Sequence, residues 1–130
     1  MTPPELLEAA RTMLRHPRPQ TAGLWPRAAA FLGRQALEAT LDDPWSRQAP
    51  ALQRTSTTCQ LLCLPAFVPD RQLAGRAAHA WAALTHACHH HPYELAPTAD
   101  EFDRWLEIVD RLARQLQEPP AQRCSSASAG

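Results

Sequence analysis

Apolar residues recur along most of this chain at spacings of three and four and rarely alternate, the pattern of amphipathic helices. Leu6, Leu7, Ala10, Met13 and Leu14 form the first such stripe. Before it stands Thr2-Pro3-Pro4-Glu5: Thr2 can cap, Pro3 suits the first helical position, and Glu5 completes a capping box. Pro17 and Pro19 end this helix, since neither fits a helix interior. A second stripe, Leu24, Ala28, Phe31, Leu32, Ala36 and Ala39, belongs to a helix starting near Trp25-Pro26. Asp42-Asp43-Pro44 is expected to stop it, leaving residues 44–52 as a linker. From Gln53 to Leu64, Thr57-Thr58-Cys59 suit a strand, but Leu61, Leu62 and Leu64 without strict alternation favour a helix. Cys59 and Cys63 would then share one face as small core residues.

Asp70 is the expected cap of a long fourth helix, whose stripe is Leu73, Ala77, Ala80, Trp81, Leu84 and Cys88. At about 100° per residue these positions fall within about 100° of arc, and Pro92 ends the helix. Thr98-Ala99-Asp100-Glu101 is a second capping box. Phe102, Trp105, Leu106, Val109, Leu112, Ala113 and Leu116 follow on one face until Pro119-Pro120. Stripes of this kind must be buried together. The fold class is therefore all-α, an antiparallel up-and-down bundle of four main helices with one additional helix alongside. A single domain is expected over residues 1–118, with a disordered C-terminal tail at 119–130.

Composition agrees with helices. The chain holds 24 alanines, and its β-branched aliphatic residues are Val68, Ile108 and Val109. No apolar run approaches the ~18 residues of a membrane span. The N-terminus lacks the basic and apolar regions of a signal peptide, and the four cysteines form no secreted framework. A cytoplasmic, reduced location is expected. All 13 basic residues are arginine, and there is no lysine or asparagine, which suggests a GC-rich, bacterial gene. The 13 arginines balance 13 acids, so the formal net charge of +0 excludes a bulk nucleic-acid binder.

The charges are nevertheless segregated. Arg11, Arg15, Arg18, Arg27 and Arg34 occur between 11 and 34 with no acid, whereas residues 99–118 carry six acids against three arginines. Either the first and last helices pair through complementary charge, or the five arginines form a phosphate- or RNA-binding patch. Trp81 and Trp105 fit core stripes, while Trp25 and Trp45 lie at helix edges or loops and are candidates for a dimer interface or ligand contact.

Five of the six histidines lie between 79 and 91. Helix geometry puts His79, His86 and His90 on the outer side of the fourth helix, His89 to the side, and His91 back toward the core if the helix lasts that far. Three readings follow. The histidines can be a solvated stripe. His86 and His90, four apart, can be metal ligands, although no CxxC or HExxH accompanies them. Or a helix-end histidine can handle a proton near a phosphate. No metal site and no cofactor are expected.

Together these features resemble the HEPN superfamily, small all-helical prokaryotic domains with an arginine, four to six residues, then a histidine at the boundary of the last two long helices. His91 falls at that boundary, followed by Pro92-Tyr93-Glu94, and Arg34-Gln35-Ala36-Leu37-Glu38 resembles the usual second-helix sequence. The resemblance covers about residues 5 to 117. It implies a homodimer that either cleaves RNA without metal or, as an inactive relative, binds RNA, a nucleotide or a partner protein encoded nearby. It also implies a toxin–antitoxin or defence setting. The catalytic residues it implies are His91 for proton transfer, His86 on the phosphate side and Tyr93 to orient the site. The sequence departs from the motif where the arginine belongs: the candidate positions hold His86, Thr85 and Leu84. An imidazole, titrating near ~6.5, is charged only part of the time at neutral pH. A non-enzymatic helical dimer that binds a partner is therefore the alternative, with a zinc-binding helical protein behind it.

Overall fold

The computed structural model describes residues 1–16, 25–89 and 95–117, and these are all-helical in character. Five α-helices occur among them: α1 (Pro3–Arg15), α2 (Trp25–Gln48), α3 (Thr57–Cys63), α4 (Arg71–Cys88) and α5 (Ala99–Gln117). Short 3-10 turns at Pro50–Arg54 and Leu64–Ala66 flank α3. The expected tail at 119–130 lies outside the described residues. No helix among those described is long and apolar enough to cross a membrane.

The helix starts obey local chemistry. The Thr2 N–H donates to Glu5 Oε2 at 2.7 Å and the Glu5 N–H to Thr2 Oγ1 at 3.4 Å, closing the capping box. Thr98 and Glu101 do the same at α5. Ser56 accepts from the Cys59 N–H and Asp70 from the Leu73 N–H. The stripe of α5 is buried as expected, with Trp105 half-buried.

α2 departs from the expectation twice. It passes through Pro44 and ends at Gln48, so 44–48 are helix and not linker. Pro44 removes one hydrogen-bond donor, which costs about 3 kcal/mol in a helix interior. Continuing the helix buries Trp45, which is 2% exposed and edge-on to Phe67 at 4.8 Å between ring centres. A buried side chain of that size contributes about as much as the proline costs. The Ala49 N–H donates to the Trp45 carbonyl at 2.9 Å, closing the last turn of the helix.

The buried face of α2 is also turned from the expected stripe. Ala29, Ala30, Gly33, Ala36, Leu37, Thr40 and Leu41 are buried, while Phe31 is 55% exposed and Ala28, Leu32 and Ala39 are half-buried. α2 touches α1, α4 and α5, and small residues let three neighbours approach it. A Cβ added at Gly33 would stand 3.1 Å from Leu84 of α4 and 3.2 Å from Leu106 of α5.

α3 is shorter than expected. The buried Gln60 donates to the Leu52 carbonyl at 3.0 Å and the Thr55 carbonyl at 3.1 Å, tying α3 to the preceding 3-10 turn. Its cysteines are not core residues: Cys59 is exposed and Cys63 half-buried, because α3 turns Gln60 and Leu61 inward instead. On α4 the expected Leu73, Ala77, Ala80 and Leu84 are buried, whereas Trp81 and Cys88 are half-buried.

Candidate functional site

α4 carries the candidate chemistry. Its last turn holds His86, and His89 caps its C-terminus. Both side chains are exposed, and so is that of His79. His86 and His89 line a groove of about 530 Å³ between α3 and α4, together with Leu62 of α3 and Trp81, Ala82 and Thr85 of α4. His79 is on the outer side and does not line it. His91 and Tyr93, the other two residues of the expected catalytic set, and Arg18 lie outside the described residues, as does His90.

The groove follows from a length mismatch. α3 has seven residues, about 10 Å, and α4 has 18, about 27 Å. α3 therefore flanks only part of α4 and leaves an apolar face beside Leu62, itself 76% exposed. No carboxylate and no arginine belongs to the groove lining among the described residues. The buried Thr85 hydroxyl there has no hydrogen-bond partner among those residues.

Three described arginines of the expected phosphate patch are engaged internally. Arg11 reaches Glu107 at 3.5 Å and Asp110 at 3.7 Å on α5, which is the expected pairing of the first and last helices. Arg15 pairs with Glu8 at 2.8 Å. Arg34 lies over the Trp81 ring, its carbon Cζ 4.6 Å from the ring centre. Arg27 is exposed, at the start of α2. Arg11, Arg15 and Arg34 therefore use their charge within the protein and do not converge on His86.

Two tryptophan expectations are corrected. Trp45 is core, because α2 continues past Pro44, and so it offers no surface. Trp81, read as core, is half-buried between Arg34 and the groove. From the sequence, Leu62 reads only as a helix-favouring residue and Thr85 only as a motif position, and neither is placed in a groove. No group of three or more histidine, cysteine or acidic residues that could hold a metal ion occurs among the described residues. No protein-family model, no characterised protein and no solved structure matches the chain.

Proposed function

We propose that this chain is a HEPN-like helical protein that acts as a non-enzymatic interaction module, a homodimer joined through the α3–α4 groove. The four long helices run up and down in alternation, with α3 alongside. Support for that arrangement comes from the sense of the helix pairs. Trp25 and Phe102, both at helix starts, are neighbours at 5.8 Å between ring centres. Gly33 of α2 approaches Leu84, late in α4, and Leu106, early in α5. Arg11, late in α1, reaches the middle of α5.

The observation that carries the module reading is the exposed Leu62 standing beside its own apolar groove. An isologous dimer needs one patch that is its own complement. A two-fold axis across α3 puts each Leu62 against the partner's α4 face. The lining holds no carboxylate and no arginine among the described residues, and an apolar centre low in charge is typical of such interfaces. Light scattering reads this directly: the wild-type chain is expected at twice its 14.4 kDa and Leu62→Asp at the single mass. Equal masses for the two would overturn the dimer.

A second reading, RNA cleavage in a toxin–antitoxin or defence setting, is favoured by His86 and His89 lining one end of the groove, with His91 and Tyr93 following them in sequence. Metal-free RNA cleavage lost in His91→Ala supports it. Cleavage that survives the substitution, or none by the wild type, removes it.

A further inference from the structure

A second groove, between α4 and α5, gathers charge that the linear sequence scatters. Arg76 of α4 lines it with Arg104, Ile108 and Arg111 of α5, and Arg11 closes one side. The groove has a volume of about 580 Å³. Asp103 and Glu107 also belong to it, so four guanidinium groups against two carboxylates leave a formal +2.

Of the acids at or beside the groove, Glu107 and Asp110 are engaged by arginines, and Asp103 makes no ion pair among the described residues. Arg11 engages Glu107 and Asp110, and Arg114 also holds Asp110. Arg76, Arg104 and Arg111 are exposed, and they make no ion pair among the described residues. Arg104 and Arg111 are seven residues apart on one helix, an axial distance of about 10.5 Å. Ile108 stands between them, half-buried and packed on the core.

We propose that this groove binds the phosphates of a single-stranded nucleic acid. Arg104 and Arg111 each fork onto one phosphate, Arg76 approaches from α4, and Ile108 gives the intervening base or sugar an apolar seat. The walls favour this ligand over an acidic peptide. Both are helices whose amides are spent internally, so a peptide main chain would find no partners there. Guanidinium forks need only anionic oxygens. The site goes beyond the dimer reading, and its residues do not overlap the α3–α4 groove.

The test is fluorescence anisotropy of a short labelled oligouridylate titrated with the full chain across a salt series. Arg76→Ala, Arg104→Ala and Arg111→Ala are each expected to weaken binding about tenfold. Each also flattens the slope of log affinity against log salt by about 0.7. Arg47→Ala, whose arginine pairs with Asp43 elsewhere on α2, leaves both unchanged. Competition separates the sources of phosphate: an unlabelled oligonucleotide displaces the probe, whereas inorganic phosphate at equal phosphate concentration does not. Absence of salt-dependent binding, equal weakening by Arg47→Ala, or displacement by polyglutamate as effective as by oligonucleotide would overturn the proposal. Leu62→Asp retains the binding, so failure of the dimer and failure of this site are told apart.

Discussion

The Arg34 guanidinium on α2 rests on the Trp81 ring of α4, 4.6 Å from its centre, with its Nε buried and without a hydrogen-bond partner among the described residues. The ring face therefore compensates a cation that hydrogen bonding leaves incomplete, and it couples two helices of the bundle. Arg34→Met keeps the aliphatic stem and removes the charge. A double-mutant cycle with Trp81→Leu, read by urea unfolding, is expected to give a coupling of about 1 kcal/mol. Additive effects would mean that the stack contributes nothing.

Gly33 sets how closely α2 approaches α4 and α5. A Cβ there meets the methyls of Leu84 and Leu106 at 3.1 and 3.2 Å. Gly33→Ala sets a helix-propensity gain of about 1 kcal/mol against that crowding, so it is expected to change stability little. Gly33→Leu has no such room and should cost about 2 kcal/mol or more. Thermal unfolding of the pair measures this, and equal melting temperatures would contradict the close approach.

The Glu5 carboxyl is held below its usual range, first by the hydrogen bond from the Thr2 N–H and next by the Thr2 side chain. A lowered folded-state value means that Glu5 contributes stability above its unfolded value, and this is lost as pH falls through the depressed one. Glu5→Gln can keep the box geometry without the charge. The wild-type advantage over Glu5→Gln is therefore expected near neutral pH and should vanish at strongly acid pH. Unfolding midpoints across that range check the sign.

Leu62 is expected to matter for assembly and not for folding. It is 76% exposed, so Leu62→Asp should leave monomer stability within about 0.5 kcal/mol. Circular dichroism melts at low concentration separate this from a folding defect.

Much of the fold was legible because its signals were local. Capping boxes at Thr2 and Thr98 and the stripe of α5 depend on neighbours within a few residues. α2 was harder. Alanines stand at positions 28, 29, 30, 36 and 39, so no single hydrophobic phase is marked, and Phe31 misleads because the packed face needs small residues. The reach past Pro44 depended on Trp45 meeting Phe67, a contact invisible in local sequence. Site residues were legible by type but not by partner. Pairing of the first helix with the last was legible from their opposite charge, yet that Arg11 meets Glu107 and Asp110 in particular depends on how α1 and α5 pack. Arg76, Arg104 and Arg111 are brought together only by α4 packing on α5.

The dimer through α3 and α4 is tested most directly by hydrogen exchange measured at low and high protein concentration. Protection that rises with concentration at residues 57–63 and 78–89 alone is the expected result. Concentration-dependent protection confined to the α1 and α5 faces, or no concentration dependence at all, would contradict it.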